Sequence, residues 1–383
     1  MPFRTVKMTD ERLRFVHRAE EKKDKLVDLC REYGISRPTA NLWLQRFRSE
    51  GAAGILVERS RRPHRSPGQT ATEVTAAVMA LRQKYPDWGA RKLHHILQNQ
   101  GPEAKPSVTT VQRIIARGGL IRETDRHPSA IRRFQRDEPN QLWQMDFKGP
   151  RGFVKRSGPL SVIDDHSRYL LRLCHLTDAR LETVQGCLQG TFEQCGVPDA
   201  MLMDHGTPWW NANSPWGWTG LTVWLMRQGI RICLSGYRHP QTQGKVERMH
   251  NSLHAAIRKR KINADEQSWL DEFQQEYNHL RPHEALGMQT PASIWRPSSK
   301  AYQPNPGEWP YPERMTCVKL NHHGQLHWNN RRWEVSRALQ GQTVGTDKLG
   351  SRTIVYFCNT PVLELNAETS RATALPVDVF TAS

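Results

Sequence analysis

The hydrophobic period changes twice along this chain, and that limits what it can fold into. Up to about residue 121, apolar side chains recur at the three- and four-residue spacing of amphipathic helices. From about 141 to 298, short apolar runs such as QLWQMDFKG, LSVIDDHSRYLLRLCHL and DAMLMDHG alternate with helical segments at 178–195, 218–229 and 242–260. After a Pro-rich joint, the last stretch alternates apolar with polar residues around Gly and Asn turns. The pattern predicts N-terminal helical units, a central α/β layer with a mixed sheet, and a small C-terminal antiparallel β-barrel. Boundaries are expected at 1–58 and 70–121 for the helical units, 140–298 for the α/β core and 313–383 for the barrel. Linkers fall at 59–69, 122–139 and 299–312.

Charge is unevenly spread. The chain carries 55 Lys and Arg against 38 Asp and Glu, and residues 1–140 hold 28 of the basic but only 16 of the acidic side chains. A polyanionic partner gripped mainly by the N-terminal third fits this balance, as does a basic surface with no such partner. The seven cysteines stand singly, without a C-x-x-C or zinc-like spacing, as in a reduced cytosolic protein. No apolar run suits a signal peptide or a membrane span. A cytoplasmic, DNA-associated location is expected, with no membrane partner and no small-molecule cofactor.

In KKDKLVDLCREYGISRPTANLWLQRFRSEG, Leu26, Leu29 and Tyr33 mark one helix, Gly34 ends it and Ser36 caps the next. The second helix carries Leu42, Leu44 and Phe47 among Arg37, Asn41, Gln45, Arg46 and Arg48. Helix, glycine turn and a basic, amide-rich helix is the helix-turn-helix pattern, in which Arg grips guanine and Asn or Gln grips adenine. An ordinary helical hairpin with a solvated basic face has the same pattern. WGARKLHHILQNQG and SVTTVQRIIARGGLI form a further pair, capped by Ser107 and ended by Gly118-Gly119. It is either a second helix-turn-helix presenting Thr109, Thr110, Gln112 and Arg113, or a structural three-helix unit.

Three carboxylates have unusual surroundings. Asp146 lies inside the apolar strand LWQMDF, where an ionised group is costly unless paired or bound to metal. Asp204 ends the run AMLMD, and Glu247 sits on a helix whose buried stripe includes Val246, Leu253 and Ile257. Converging from two strands and a helix, they make a hard oxygen site suited to Mg²⁺ or Mn²⁺. Asp164 and Asp165 occupy a hairpin-turn position and are expected to be structural.

The order WQMDF, VIDDHSRY, LMDHGTPW, HPQTQGKVERMHNSLH and YNHLRPHEALGMQTPA resembles insertion-sequence transposases with a DDE-type, retroviral-integrase-like, ribonuclease-H-like catalytic core. The resemblance covers about 141–298, and the helical units match the family's layout. It implies that Asp146, Asp204 and Glu247 hold two metal ions. It also implies that water frees a 3′-hydroxyl at the element's end, and that this hydroxyl attacks target DNA without a covalent enzyme intermediate. Double-stranded DNA, as element ends and target, and a homo-oligomeric synaptic complex are the implied partners. Gln243 and Gly244 resemble the family's active-site loop. Gln243, Lys245, Arg248 and Asn251 are expected at DNA, with Arg258, Lys259, Arg260 and Lys261 either extending that charge or forming a solvated face. Asn278, Arg281 and His283 are expected to pack the final helix against the core, the alternative for His283 being a catalytic base that three metal-binding acids make unnecessary. Forty-two residues separate Asp204 from Glu247, more than the family usually shows, so an insertion is implied at WWNANSPWGWTG. Its indoles either pack a local lobe or stack on a frayed base. His205 stands where relatives commonly have Asn. An inert DNA-binding regulator and a metal-dependent nuclease without joining activity are the rival readings.

Overall fold

A computed structural model describes residues 8–56, 70–103, 105–121, 135–149, 158–211, 214, 217–235, 243–260, 266–366, 368–375 and 378–380. Linker 59–69, most of linker 122–139, the tip of the Trp-rich segment with Trp216, residues 239–242 and Lys261 lie outside them. The chain divides into two compact units, residues 1–69 and 70–383.

In the first unit, α1 (Met8–Glu20), α2 (Leu26–Glu32), α3 (Arg37–Glu50) and the short α4 (Ala53–Leu56) enclose Phe15, Val16, Leu29, Cys30, Ala40, Leu44 and Ile55. The turn between α2 and α3 forms for local reasons. Gly34 takes a φ of +63°, open to residues without a Cβ. The Ser36 hydroxyl then accepts from the Thr39 N–H and caps α3. Of the apolar residues on α3, Leu42 is exposed. At about 100° per residue it points away from the stripe that Ala40 and Leu44 define, and Trp43 and Phe47 supply the partly buried margin instead.

The second unit opens with α5 (Thr72–Lys84), α6 (Ala90–Gln100) and α7 (Val108–Arg117), packed around Val78, Trp88, Leu93, Leu97 and Val111. Ser107 caps α7 by accepting from the Thr110 N–H. This bundle is fastened to the rest of the unit through Asp87. Its carboxylate, with no exposed side-chain surface, accepts from Arg260 at 3.0 Å and Arg281 at 2.8 Å.

The core sheet holds β1 (Trp143–Phe147), β2 (Pro159–Asp164), β3 (Leu170–His175), β4 (Ala200–Met203) and β5 (Arg231–Ser235). β1, β2 and β3 form an antiparallel meander, whereas β4 joins β1 in parallel and β5 joins β4 in parallel. The two-residue side-chain period decides which residues meet which helices. On one face Trp143, Met145, Leu160 and Val162 pack with α8 (Leu181–Cys195) and α9 (Gly220–Arg227). On the other, Ile163, Leu170 and Leu173 pack with α10 (Gly244–Lys259) and α11 (Glu266–Gln275). Asp146 alternates with Met145, so its carboxylate faces the α10 side.

The free edge of β3 is covered by amide side chains. Gln267, Gln274 and Asn278 follow one another from α11 into the π-helical turn Glu276–Leu280, and each both accepts from and donates to the β3 backbone. Strand-edge groups that would otherwise invite another chain are thereby satisfied.

The C-terminal region contains β6 (Thr316–Lys319), β7 (Gln325–Trp328), β8 (Arg331–Glu334), β9 (Thr343–Leu349), β10 (Arg352–Phe357), β11 (Thr360–Asn366) and β12 (Arg371–Ala374). Antiparallel strands were expected and are present, but closure into a barrel is not seen among the described residues. There the sheet runs β12-β11-β10-β9-β6 with β6 and β12 at opposite edges, and β7 pairs with β8. A last strand, β13 (Asp378–Phe380), leaves this sheet and adds in parallel to β5 of the core. The Pro-rich joint is packed rather than loose. Tyr302 lies against Phe192 and Trp224, Pro306 accepts from Arg227, and Tyr311 donates to Thr343. One apolar cluster therefore runs from the core through Trp309 to Leu326, Trp333 and Val355.

Candidate active site

Asp146 sits on β1 opposite Ser161 of β2, Asp204 follows the last residue of β4, and Glu247 lies in the first turn of α10. β1 and β4 are parallel neighbours, and α10 covers the face on which Asp146 stands. Asp146 feels the charge of both other acids. Asp146 is pushed up to about 7 by burial first, then by the charge on Asp204 and, to a smaller degree, Glu247. Burial also raises Glu247.

Asp204 is held in a defined orientation. Its Oδ1 accepts from the Gly206 N–H at 2.9 Å and from the Trp209 indole N–H at 2.6 Å. No donor among the described residues reaches Oδ2. His250, one turn along α10 from Glu247, places Nε2 2.9 Å from Ser161 Oγ and Nδ1 3.8 Å from Asp146 Oδ2. Burial, then Lys148, lowers this histidine to about 3, so the ring beside Asp146 is neutral and forms no ion pair with it.

The acidic turn is a buried hub. Asp164 accepts from the N–H of Asn140 and from both the N–H and hydroxyl of Ser167. Asp165 accepts from the Arg136 N–H, the Gln144 amide and the Lys245 ammonium, the last at 2.6 Å. Gln144 in turn accepts from the Val246 N–H. The hub thus fixes the start of α10 to β1, and with it the spacing between Glu247 and Asp146. Lys245, expected at phosphates, is instead drawn into this cluster by Asp165. Gln243 is also buried, and its amide nitrogen has no partner among the described residues. Arg248 and Asn251 are exposed and flank Glu247, with Arg258 on the same side of the helix.

Among the described residues, no three His, Cys, Asp or Glu side chains close into a ready-made metal cage. The donor set nevertheless fits a hard divalent ion such as Mg²⁺ or Mn²⁺. It offers carboxylate oxygens, Asp204 Oδ2 among them without a donor among the described residues, and like charges around the half-buried Asp146 that a cation would relieve.

The other expected residues divide by exposure. On α3, Arg37, Asn41, Gln45 and Arg48 share an exposed face, although Arg48 is paired with Glu20 at 2.8 Å. Arg46 is half-buried on the opposite side. On α7, Thr109, Gln112 and Arg113 share one exposed side, whereas the Thr110 hydroxyl lies 3.0 Å from the hydroxyl of the Ser107 cap. In the Trp-rich segment, Trp209 and Trp218 are buried and pack the lobe; Trp210 is half-buried between His205 and Trp218. Asn278 clamps Leu170, Arg281 reaches Asp87, and the His283 ring packs edge-on against Tyr277.

Sequence reasoning missed Gln144, His250 and Trp209. The first two carry a signal: Gln144 lies two residues before Asp146 and so on the same face of β1, and His250 lies three residues beyond Glu247. Trp209 carries none, because its contact depends on the turn after Asp204.

Two matches to the integrase core domain cover residues 136–240 and 228–291. Two matches to homeodomain-like domains cover 9–56 and 39–115. Among solved structures, a simian T-cell lymphotropic virus intasome in complex with a PP2A regulatory subunit aligns at 13% identity and a TM-score of 0.37. That alignment covers 78% of this chain and 99% of that one. The HTLV-2 integrase catalytic core with magnesium aligns at 16% identity over 41% of this chain and 97% of its own, with TM-scores of 0.30 for the dimeric and 0.32 for the trimeric form. No helix among the described residues is long and apolar enough to cross a membrane. The chain carries an integrase core preceded by homeodomain-like domains, the combination typical of the insertion-sequence transposases that its motifs resemble.

Proposed function

We propose that the protein is the DNA transposase of an insertion-sequence element, binding the element's terminal repeats and catalysing 3′-end cleavage and strand transfer. The observation that carries this reading is the placement of the three acids: Asp146 on β1, Asp204 just after its parallel neighbour β4, and Glu247 in the first turn of the helix that covers that face. Asp146 and Asp204 are the principal ligands from the sheet, and Glu247 closes the site from the helix. Two divalent ions bound there would activate an attacking oxygen and stabilise the leaving one at a phosphate. Gln144 and Asp165 keep the helix-borne acid in register with the sheet. Arg248 and Asn251 hold the DNA backbone beside the acids.

In the first step water attacks the phosphodiester at the element's end, the bond from phosphorus to the 3′-oxygen breaks, and a 3′-hydroxyl leaves. In the second, the oxygen of that hydroxyl bonds to a target phosphorus, the target strand's own bond from phosphorus to its 3′-oxygen breaks, and a target 3′-hydroxyl leaves, so the strands are joined. Pairing two ends calls for a multimer. Labelled DNA from the segments flanking the gene, incubated with Mg²⁺ and a supercoiled target, tests the reading. Joined products are expected from the wild type and none from Glu247→Gln. Nicks without joining would instead identify a nuclease, and specific binding without nicks an inert regulator.

End recognition is assigned to the exposed faces of α3 and α7. Removing two of its side chains in Arg37→Ala/Asn41→Ala should weaken binding to the element's ends by roughly tenfold or more, since a bidentate base contact contributes about 1–3 kcal/mol. Binding to unrelated DNA should fall less. Fluorescence anisotropy with the two DNAs measures this, and equal losses on both would place α3 on the phosphate backbone alone.

A further inference from the structure

We infer that Trp209 is a positioning residue for the second acid, presenting Asp204 Oδ2 to the metal site. The inference rests on the assignment of Asp204 proposed above and adds a task for the Trp-rich segment that distinguishes this chain. Trp209 is 1% exposed, so its ring is not available to stack on a base. Its indole N–H donates to Asp204 Oδ1 at 2.6 Å, and the Gly206 N–H donates to the same oxygen at 2.9 Å. Two donors on one oxygen fix the carboxylate's rotation and leave the other oxygen without a donor among the described residues.

The chemistry of the indole suits this task. It donates one hydrogen bond, accepts none and cannot ligate a metal, so it holds Oδ1 without competing for the ion. Its placement is over-determined. The ring stacks on Phe147 with centroids 5.5 Å apart and planes 13° from parallel, and Phe147 directly follows Asp146 on β1. One side chain therefore ties the position of the second acid to the strand that bears the first. Gly206 belongs to the same device. A Cβ there would lie 2.9 Å from Oδ1 and 3.2 Å from Oδ2, so any larger residue displaces the carboxylate. Outer partners of this kind orient metal ligands, and their loss commonly weakens metal binding ~10–100-fold.

Trp209→Phe retains an aromatic ring against Phe147 and deletes only the donor. Mn²⁺ affinity of the full chain, read from the spectroscopic signal of free Mn²⁺, is expected to fall about tenfold or more, with a near-native thermal midpoint in metal-free buffer. Gly206→Ala should weaken Mn²⁺ binding in the same direction by moving the carboxylate while leaving the indole in place, and it serves if the first variant misfolds. Unchanged Mn²⁺ affinity in a folded variant of either kind overturns the inference. Asp204→Asn is the accompanying control. If it too leaves Mn²⁺ binding intact, the assignment of Asp204 itself fails, whereas loss in this control alone removes only the role of Trp209.

Discussion

Asp146→Asn is expected to abolish strand cleavage while making the metal-free protein more stable. The aspartate is forced to carry charge in a half-buried site facing Asp204 and Glu247, and its carboxyl is pushed up to about 7. A carboxyl raised above its ordinary value costs the folded state stability as pH rises from the unfolded value, near 4, through the folded one. The asparagine amide is nearly the same shape and carries no charge. At about pH 8 without divalent metal, the variant's thermal midpoint should exceed the wild type's by a few degrees, and the gain should vanish below about pH 4. Mg²⁺ should raise the midpoint of the wild type but not of the variant. Cleavage should fall on the order of 1000-fold, as when a preorganised electrostatic group is lost from an active site. Paired melting curves and a cleavage time course check both halves. A variant that is less stable and still cleaves would mean that Asp146 is structural.

Asp87→Ala should cost the second unit about 3–5 kcal/mol, the usual penalty for breaking a buried ion pair by removing one partner. Burial alone would push the Asp87 carboxyl up, yet Arg260 and Arg281 outweigh it and hold the group below the usual carboxylate range. Arg281 has only 7% of its side-chain surface exposed, so it cannot recover its hydration when Asp87 is gone. Lys92 nearby is already pushed down to about 7, by burial and then by Arg281, and would lose an opposite charge as well. Because the Asp87 value is depressed, its contribution is present above about pH 4 and lost as pH falls through the depressed value. The expected phenotype is a lowered thermal midpoint with faster amide exchange throughout α5–α7, since this pair fastens the bundle to the core. Hydrogen exchange by mass spectrometry resolves it, and unchanged protection in α5–α7 would show that apolar packing alone holds the bundle.

What could be read from the sequence follows from how locally each feature is determined. The turn between α2 and α3 was legible because Gly34 and Ser36 act on their immediate neighbours. The alternation that sets Asp146 apart from Trp143 and Met145 was legible because strand faces follow from parity alone. That Leu42 is exposed while Leu44 is buried was less legible, because spacing identifies a helix more securely than its buried side. Asp164 and Asp165 were legible as a turn, but not as the anchor of Lys245 and Gln144, whose partners lie far away in sequence. The same distance explains the C-terminal region. Strands could be recognised one by one, whereas closure depends on whether β6 and β12 meet, and nothing local forbids or requires that. The return of β13 to the core sheet likewise left no local trace.

The central claim is that Asp146, Asp204 and Glu247 form one divalent-metal site. Crystals of the full chain soaked in Mn²⁺ and measured near the manganese absorption edge test it most directly. An anomalous peak is expected in contact with carboxylate oxygens of both Asp146 and Asp204, with Glu247 turned toward it or toward a second peak about 3.5–4 Å away. A map with no peak between these carboxylates, at Mn²⁺ concentrations that support strand cleavage in solution, would contradict it.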